Sequence, residues 1–590
     1  MQLLASLVVM GVQATEPMGA SLIEGSPIGP TTSSGFLEVN EGTLPAELVI
    51  DFKNDVAADA LVELSKSTGL AIKFNSEFSD AEEHLAKVDV VDPGTLERLL
   101  SLFKARDDVE QVEPNYVLQA LYTPNDPYYK SQWHMDMINM AQAWGRARGH
   151  GVVVAVIDTG VSSGDGSLKP VEDLADAHFV KGYDFVNDKP YADDDHAHGT
   201  HVAGTIAQST NNGKGVAGVA FEAKIMPIKV LSRGGSGYVS DIAEGIIWAA
   251  NHGADVINMS LGGPSRSLVL EKAVAYARWR GVVVVCAAGN GGGRGVGYPA
   301  AYDGAIAVSA MGPDRKLAYY SSWGPQVDIA APGGDTRMDL NKDGIPDGVL
   351  QNTIVPGDPS RQGYFPFNGT SMASPHVAGV AALVIGQGIT DPDAVENILT
   401  KTAAPVGDAD HYGAGLVDAA AATSRAIWRP GLLRLGLAIA FAFLVTMVAR
   451  RKAALAPPPL GPGFFVALIV AACGLFVLRF VETYAWWLFF VTRPLYEWPG
   501  ALLGMNWHLH ALVGSVALPF VAVVLGASSR RLRPIAAGLA IGSAAYFVAC
   551  AVDGSVNVRW VPGHGLLDTI WLGANGLLAL IIGRFSLPKR

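Results

Sequence analysis

Cysteine is scarce in this 590-residue chain, which contains only Cys286, Cys473 and Cys550. The first 428 residues hold one of the three, which excludes a disulfide scaffold or a cysteine-based zinc site there. Acidic residues are scarce at the other end, because residues 429–590 contain four Asp or Glu against fourteen Lys or Arg. The first 428 residues instead carry 51 acidic and 29 basic residues, so no basic face suggests that they bind nucleic acid.

The chain is too long for one ordinary domain, and 49% of its residues are hydrophobic. The acidic first part and the basic, apolar last part therefore indicate two regions in contact with different solvents. Residues 1–14 resemble a short signal peptide, although no Lys or Arg precedes the apolar run, and a disordered apolar tail is the alternative. Residues 15–43 are rich in Ser, Gly, Pro and Thr and are typical of a linker.

Residues 44–121 have the pattern of a small α+β unit. Extended segments and two amphipathic helices alternate in the order β-α-β-β-α-β, which is the split βαβ arrangement. Residues 126–425 instead alternate short β-branched runs, such as VVVAVI and VVVVCAA, with helical stretches. That second pattern predicts an α/β domain with a mostly parallel sheet and helices on both faces, whose ligand site lies beyond the carboxyl ends of the strands.

Residues 432–583 predict an all-α transmembrane bundle of about five helices. The apolar segments 432–449, 463–481, 508–528, 535–552 and 565–583 can each cross a hydrocarbon core of about 30 Å at about 1.5 Å per residue. Basic clusters follow the first, third and fifth segments, so five spans would place all three clusters in the cytoplasm. The chain is then an integral membrane protein in contact with membrane lipid, with its acidic domain on the extracytoplasmic side and its C-terminus in the cytoplasm.

Four segments of the predicted α/β domain carry residues suited to nucleophilic catalysis. Asp158 ends a buried strand, His198 opens an apolar helix, Asn290 ends another strand, and Ser371 follows Asn-Gly-Thr at the start of a long apolar helix. A serine hydroxyl needs an imidazole to accept its proton, and the imidazole needs a carboxylate to fix its tautomer. The side-chain amide of Asn290 is suited to donate to a tetrahedral oxyanion.

These residues stand in motifs that resemble those of the subtilisin-like serine proteases, the subtilases: VIDTGV, HGTHVAGT, INMSLGG, AAGN and GTSMASPHVAG. The resemblance covers about residues 126–425, and the four residues follow in the family's order. It implies a subtilisin-like α/β fold and a serine endopeptidase that hydrolyses protein or peptide substrates through an acyl-enzyme. Asp158 would orient the imidazole, His198 would be base and acid, Ser371 the nucleophile, and Asn290 part of the oxyanion hole.

The resemblance also implies how substrate is held. Ser260, Leu261 and Gly262 match the family's substrate-binding strand, and Gly234, Ser236 and Gly237 match the opposite edge of that cleft. Gly297 matches the floor of the specificity pocket, where a small residue leaves room for a hydrophobic or aromatic side chain. The unit at residues 44–121 resembles the inhibitory propeptide of the family, with self-cleavage expected between about Leu118 and Pro124.

Calcium is the metal that the sequence favours, and no organic cofactor is expected. The loop DLNKDGIPDG provides candidate ligands at positions 1, 3, 5, 7 and 9, namely Asp339, Asn341, Asp343, Ile345 and Asp347. The loop departs from an EF-hand because Leu350 stands at position 12, and a solvated acidic turn is the alternative.

Some of these residues also suit other chemistry. His196, His198 and His201 suggest zinc, but their spacing does not place all three on one helical face. Asp-Thr-Gly occurs in aspartic proteases too, which need a second such loop or a dimer, and the chain has no second Asp-Thr-Gly or Asp-Ser-Gly. We interpret His376 as a core or surface residue and Cys286 as a buried, inert thiol.

The apolar last part of the chain has candidate groups of its own. His508, His510, Asp553, His564 and Asp568 fall near the outer ends of predicted spans, where ionisable residues are often functional. A metal or proton site is one interpretation, and polar residues that cap the spans are the other. A second functional hypothesis follows, in which the chain is a membrane transporter or membrane hydrolase whose subtilase-like domain is a binding module.

Overall fold

The computed structural model describes residues 47–53, 58–76, 79, 84–89, 93–115, 122–452, 460–483, 486–498, 515–526, 529, 531–559, 561 and 565–587. These residues belong to two units, one within residues 25–120 and one within residues 121–590. The signal peptide and linker predicted at 1–43 lie outside the described residues, as do His508, His510 and His564.

The first unit is a four-stranded antiparallel sheet with two helices. Its elements are β1 (Glu47–Phe52), α1 (Ala58–Thr68), β2 (Ile72–Phe74), β3 (Leu85–Asp89), α2 (Pro93–Lys104) and β4 (Val109–Pro114). The strands lie in the order β2-β3-β1-β4. Alternation along β1 buries Leu48, Ile50 and Phe52 in one core with Leu99 and Phe103 of α2. The order of elements predicted from the sequence is confirmed.

The second unit is built on an eight-stranded sheet. Its strands are β5 (Val153–Asp158), β6 (His178–Phe179), β7 (Tyr183–Asp184), β8 (Lys224–Lys229), β9 (Val256–Met259), β10 (Val283–Ala287), β11 (Ala305–Met311) and β12 (Ile329–Pro332). They lie in the order β12-β11-β10-β9-β5-β8-β6, with β7 also paired to β8, and these pairs are parallel. The central strands lack polar alternation because both faces of the sheet are buried.

Helices cover both faces of this sheet. α5 (His198–Ala207), α8 (Thr370–Ile385) and α9 (Pro392–Thr402) pack into one apolar core, and α6 (Val239–Asn251) and α7 (Leu268–Trp279) into the other. The remaining elements are α3 (Trp133–Met137), α4 (Met140–Trp144), α10 (Ala409–Tyr412) and the hairpin of β13 (Val349–Val355) and β14 (Asp358–Phe367). The predicted subtilisin-like α/β class, with a mostly parallel sheet and helices on both faces, is confirmed.

The chain reverses its direction across the sheet at β5. It forms β6 to β8 on one side of this strand and then β9 to β12 on the other. Ligands of open α/β sheets bind at such a reversal, beyond the carboxyl ends of the strands. β5 ends at Asp158, and Val156 lies opposite Asn258 of β9, so the residues that follow these two strands meet at one edge of the sheet.

Apolar helices follow the α/β core. They are α11 (Ala419–Lys452), α12 (Pro462–Ala472), α13 (Phe489–Thr492), α14 (Ala517–Gly526), α15 (Leu532–Asp553) and α16 (Leu566–Ser586). Within the described residues, three helices are long and apolar enough to cross a membrane: residues Ala419–Val448 of α11, and the whole of α15 and α16. These three helices contain the first and fourth predicted spans and all but the first residue of the fifth.

The second predicted span, 463–481, is not one helix. α12 ends at Ala472, Gly474 adopts a positive φ of 59°, and a 3₁₀ helix runs from Phe476 to Thr483. A left-handed glycine is a common way to end a helix, and the turn directs Arg479 towards Gln387 and Glu497. The third predicted span is described only in part, as α14, because residues 508–514 lie outside the described residues.

A buried ion pair joins the segment after α15 to the parallel sheet. Arg559 Nη2 donates to the Asp255 carboxylate at 2.8 Å and to the Ala254 carbonyl at 2.9 Å. The other carboxylate oxygen of Asp255 accepts from the amide of Val153, the first residue of β5, at 2.9 Å. The Arg559 and Asp255 side chains are 7% and 2% exposed, so solvent ions screen the pair little. The apolar C-terminal region is therefore tied to the strand that ends at the candidate site.

We expect Arg559→Met to destabilise the full-length chain, because the buried Asp255 carboxylate would lose its cation. Removal of one partner of a buried ion pair typically costs about 3 to 5 kcal/mol. Thermal unfolding of the purified chain measures the loss, and Arg361→Met, at an exposed position on the β14 strand, is the matched control. Equal unfolding midpoints for the two variants would contradict this role of Arg559.

Candidate functional site

The carboxyl end of β5 places Asp158 beside the first residue of α5. Asp158 Oδ1 lies 2.7 Å from His198 Nδ1 and also accepts from the Thr159 amide at 2.7 Å. Asp158 is fully buried, whereas the His198 side chain is 18% exposed. An ionised carboxylate can only accept, so Nδ1 of His198 carries the proton and its Nε2 can accept one from a nucleophile.

Asp158 also changes the protonation of the imidazole. Burial of His198 opposes a charge on the ring, but the negative charge of Asp158 and its hydrogen bond outweigh burial. The pKa of His198 is therefore raised above its ordinary value of 6.5. Asp158 thus stabilises the imidazolium that forms when His198 accepts a proton.

Asp194 fixes the loop that precedes α5. It is fully buried and accepts from the Thr159 hydroxyl at 2.8 Å, from the His196 amide at 2.9 Å and from the Thr200 amide at 3.0 Å. One carboxylate thus joins the residue after Asp158 to residues on both sides of His198. The predicted site residues did not include Asp194, because a run of three aspartates gives no sign of which one turns inward.

Lys229, the last residue of β8, is 1% exposed and lies under the same loops. Its ammonium group donates to the Thr159 carbonyl at 2.6 Å, to Asp195 Oδ1 at 2.7 Å and to the Leu231 carbonyl at 2.9 Å. All three N–H donors are used, which offsets the cost of burying the charge. The predicted site residues did not include Lys229, although a lysine directly after the apolar run IMPI was a signal of it.

Ser371 is the second residue of α8 and exchanges hydrogen bonds with Ser260. Ser371 Oγ donates to the Ser260 carbonyl at 3.2 Å, and Ser260 Oγ donates to the Ser371 carbonyl at 2.7 Å. Pro375 has no N–H, so the Ser371 carbonyl lacks its usual partner four residues later in the helix. Ser260 supplies the missing donor and holds Ser371 at the end of β9.

The Ser371 hydroxyl is not bonded to the imidazole in this conformation. Both residues are described, and their hydrogen bonds lead from Ser371 Oγ to Ser260 and from His198 Nδ1 to Asp158. Hydrogen bonds between a nucleophile and its base are often long before substrate binds. A rotation of the Ser371 side chain would release Oγ from the Ser260 carbonyl.

Two further buried polar side chains support Ser260. Asn258 Nδ2 donates to Ser260 Oγ at 3.0 Å, and the hydroxyl of Ser374, one turn along α8 from Ser371, donates to Asn258 Oδ1. These groups are 0% exposed, so each depends on the others for its hydrogen bonds. The network fixes the start of α8 against the ends of the strands.

Asn290 lies on an exposed turn that follows β10. Its Oδ1 accepts from the amide of Thr370 at 2.9 Å and from the Thr370 hydroxyl at 2.8 Å. The oxygen is thereby assigned to Thr370, and Nδ2 is left as a donor beside Gly369, where a Cβ would lie 3.4 Å from it. The Ser371 amide in the first turn of α8 is a second donor of the same kind. Together the two N–H groups can stabilise an oxyanion.

The predicted substrate-binding residues on the β9 side are brought together. Residues 260–262 follow β9 directly, and Gly263 exchanges backbone hydrogen bonds with Tyr298 at 2.9 and 2.8 Å. This pairing places Gly297 beside Gly262 and Gly263. A Cβ on Gly297 would lie 3.3 Å from the Gly263 carbonyl, and one on Gly262 would lie 3.3 Å from the Tyr298 carbonyl. Because Gly262 and Gly297 have no side chain, neither glycine fills the space between residues 260–263 and the segment at Gly297 and Tyr298.

Gly234, Ser236 and Gly237 form a turn after β8. The Ser232 amide donates to the Ser236 carbonyl at 2.9 Å. A Cβ on Gly235, at the tip of this turn, would lie 3.0 Å from His196 Nε2. The turn therefore lies beside the loop that leads into His198.

Three further histidines of the α/β core, His134, His201 and His376, make hydrogen bonds to groups other than Asp158 and Ser371 Oγ. His376 Nε2 lies 2.8 Å from His134 Nδ1, and His376 Nδ1 donates to the Met372 carbonyl at 2.8 Å. His201 Nε2 donates to the Val349 carbonyl at 2.9 Å. Burial lowers the pKa of His201 to about 3 and that of His376 to about 4, so both rings are neutral core residues.

The predicted calcium loop connects β12 to β13. The Gly344 amide donates to Asp339 at 3.2 Å, and the Ile345 amide donates to Asp343 at 2.8 Å, so these carboxylates fold back on the loop. Burial, and then the charges of Asp339 and Asp343, raise the pKa of Asp347, and a cation would relieve this repulsion. The donor set therefore suits Ca²⁺ in type and charge. In the described part of the chain, no three His, Cys, Asp or Glu side chains are clustered as metal ligands.

The end of α8 opposite Ser371 contacts the apolar C-terminal region. Arg493 Nη1 donates to the Gly386 carbonyl at 2.6 Å, and Arg479 Nη1 donates to the Gln387 carbonyl at 3.2 Å. Cations at a helix C-terminus compensate the partial negative charge of its last carbonyls. The two guanidinium groups therefore fix the far end of the helix that carries Ser371.

Glu497 holds these guanidinium groups in place. It accepts from Arg479 at 3.0 Å, from Arg493 at 3.5 Å and from Arg434 of α11 at 3.3 Å. The Arg434, Arg479 and Glu497 side chains are 3 to 5% exposed. Arg434 of α11 therefore forms one ion cluster under α8 with three residues that follow α12, namely Arg479, Arg493 and Glu497.

Two family models match the chain. The model of the subtilase family, peptidase S8, matches residues 149–415, and that of a domain of unknown function matches residues 420–590. The first range contains Asp158, His198, Asn290 and Ser371. The second begins within one residue of the start of α11.

Curated relatives are similar to the first part of the chain. A thermophilic serine proteinase of Bacillus sp. (strain AK1) is 39% identical over 344 residues, which cover 58% of this chain and 78% of that protein. M-protease of Shouchella clausii is 38% identical over 348 residues, which cover 58% of this chain and 84% of that protein. Subtilisin Savinase of Lederbergia lenta is 42% identical over 293 residues, which cover 49% of this chain and 98% of that protein.

We expect Asp158→Asn to shift the pH dependence of peptide hydrolysis. Only the neutral His198 ring accepts a proton, so the activity of the unchanged chain should rise as the pH increases through the raised pKa of His198. Without the carboxylate that pKa falls, the acidic limb moves to lower pH, and kcat drops by about 10⁴-fold. Initial rates on a peptide substrate across the pH range measure both effects. An acidic limb that stays in place would contradict the role of Asp158.

Proposed function

Because the chain belongs to the subtilase family of serine proteases, we propose that Asp158, His198 and Ser371 are its catalytic triad. Ser371 Oγ attacks the carbonyl carbon of a peptide bond while His198 accepts its proton and Asp158 stabilises the imidazolium. His198 then protonates the leaving amine, and water, activated by the same imidazole, hydrolyses the acyl-enzyme. The contact of 2.7 Å between Asp158 and His198, at the sheet edge where α8 begins, is the observation that carries this proposal.

The substrate lies as an extended strand in this mechanism. Residues 260–262 pair with one edge of the peptide, and the turn at Gly234, Ser236 and Gly237 faces its other edge. The oxyanion of the tetrahedral intermediate accepts from Asn290 Nδ2 and from the Ser371 amide, and the loss of one such donor typically costs about 10² to 10³ in kcat. The gap between Gly262 and Gly297 supports a pocket for a hydrophobic or aromatic side chain.

Residues 44–121 act in this proposal as an inhibitory propeptide. The order of elements in the first unit supports this role, because it is the order expected for the propeptides of the family. The mature enzyme is then released when Ser371 cleaves the chain between about Leu118 and Pro124. Residues 118–121 of that segment lie outside the described residues.

The C-terminal region anchors the peptidase in a membrane. α11 leaves the α/β core, and α15 returns to it, because the Ser555 carbonyl after α15 accepts from the Thr390 amide at 2.8 Å. The far ends of α11, α15 and α16 therefore lie away from the core, and basic residues cluster at all three ends in the sequence. This arrangement supports a cytoplasmic location for those ends and an extracytoplasmic location for the peptidase.

We expect Ser371→Ala to abolish both peptide hydrolysis and release of residues 44–121. Loss of the nucleophile in a triad of this kind lowers kcat by about 10⁶-fold. Mass spectrometry of the purified chain detects the uncleaved precursor, and Ser360→Ala, at an exposed position of β14, is the control. If both reactions survived in Ser371→Ala, the second hypothesis would be favoured, in which the subtilase domain is a binding module of a membrane transporter or hydrolase.

The loop 339–347 holds a structural calcium ion in this proposal, through Asp339, Asn341, Asp343, Asp347 and the carbonyl of Ile345. We expect Ca²⁺ to raise the midpoint of thermal unfolding relative to a chelator, because a ligand that binds only the folded state stabilises it. The gain should shrink in Asp343→Asn and persist in Asp303→Asn, an exposed aspartate outside the loop. An equal gain in both variants would place the stabilising ion elsewhere.

A further inference from the structure

A cavity of about 390 Å³ lies where the apolar helices meet the α/β core. Its walls come from the start of α9, the first turns of α11, the end of α15 and the start of α16. The volume is within the range of about 300 to 1,000 Å³ that is usual for small-molecule sites. Neither the catalytic residues nor the predicted substrate-binding residues line it.

Opposite charges face this cavity from different walls. Arg425 and Arg429 are four residues apart on α11 and so lie on one helix face, and both line the cavity. Asp553, the last residue of α15, and Asp568, in the first turn of α16, line it from two other helices. Among the described residues, none of the four takes part in an ion pair. Two further carboxylates line the cavity at the start of α9, but Asp393 pairs with Arg278 at 2.6 Å and Asp391 accepts from the Ala394 amide as the N-cap of the helix. The two guanidinium groups and the carboxylates of Asp553 and Asp568 therefore face the cavity without a direct contact between them.

Asp568 is the buried member of this group. Asp568 is 3% exposed, and its Oδ2 accepts a long hydrogen bond of 3.4 Å from Asn557 Nδ2. Its Oδ1 and the Nε of Arg425 are both buried without a hydrogen-bond partner in the described structure. Buried polar atoms without a partner are costly unless a ligand or another group satisfies them.

We propose that this cavity binds the zwitterionic headgroup of an aminophospholipid. The phosphate would accept hydrogen bonds from Arg425 and Arg429, whose planar groups suit phosphate oxygens. The primary ammonium would donate to Asp553 and Asp568. A metal cation alone would leave the two guanidinium groups unpaired, and an inorganic phosphate alone would leave the two carboxylates unpaired.

The position of the cavity favours a lipid as the source of this headgroup. The cavity lies at the core-facing ends of α11, α15 and α16, which are the three helices long and apolar enough to cross a membrane. If these helices span the bilayer, as the proposed function holds, their ends lie at the depth of the headgroups. The inference rests on that anchoring, and the site would tie the peptidase to one leaflet.

Lipid retention by the full-length chain tests the proposal. The chain is purified in detergent, exchanged against vesicle lipid that contains equal parts phosphatidylethanolamine, phosphatidylcholine and phosphatidylglycerol, and analysed by native mass spectrometry. We expect one retained phosphatidylethanolamine, because phosphatidylcholine has no N–H donor and phosphatidylglycerol has no cation. Asp568→Asn and Arg429→Gln should each weaken retention about tenfold, since each removes the charge from a hydrogen bond to the headgroup.

Controls separate this site from general lipid binding. Arg429 is exposed, so its replacement tests binding without disturbing the core, and Arg531→Gln at the opposite end of α15 is the matched control that should retain the lipid. Equal retention of the three lipids, or equal losses in Arg531→Gln and Arg429→Gln, would overturn the proposal. The proposal would also be overturned if the site bound soluble glycerophosphoethanolamine, or a zwitterionic peptide, with the same affinity as the lipid.

Failure of the anchoring has a different signature. Alkaline extraction that frees the full-length chain from native membranes would contradict the membrane anchor and with it the lipid site. A chain that resists extraction but shows no preference for phosphatidylethanolamine would overturn the headgroup site alone.

Discussion

Helix α8 is buried along all sixteen of its residues, and the geometry of the site depends on how that helix is held. At its start, Ser260 donates to the carbonyl that Pro375 leaves without a helical partner. At its end, Arg479 and Arg493 bind the carbonyls that follow the last turn. A helix with both ends fixed cannot slide along its axis. At about 1.5 Å of rise per residue, the contacts at the two ends of α8 are more than about 20 Å apart, and together they set the position of Ser371.

The second set of constraints acts on Asp158 and His198. Asp194 and Lys229 are buried charges whose hydrogen bonds converge on Thr159, the residue after Asp158. Because a buried charge is costly without partners, each of these groups holds the surrounding loops in one arrangement. The contact between Asp158 and His198 thus depends on the hydrogen bonds that Asp194 and Lys229 make to Thr159, and not on the two side chains alone.

The C-terminal region is built onto the peptidase core rather than joined by a free linker. Arg559 pairs with Asp255 at the start of β5, and the cluster of Glu497 with three arginines lies under α8. Both contacts reach elements that carry residues of the proposed triad at their other ends, Asp158 on β5 and Ser371 on α8.

The sequence by itself determined the α/β class, the order of elements in the first unit and the family, because strand and helix periodicity and long co-linear motifs are local properties of the chain. It also named Asp158, His198, Asn290 and Ser371, since each motif fixes the place of its own residue. It could not show that the predicted span 463–481 breaks at Gly474, or that Lys229 and Asp194 turn inward. The sequence of an apolar or an acidic run is the same whatever its residues contact in the folded chain. Only the tertiary structure decided these points, and it alone placed Arg425 and Asp568, 143 positions apart in the sequence, in the lining of one cavity.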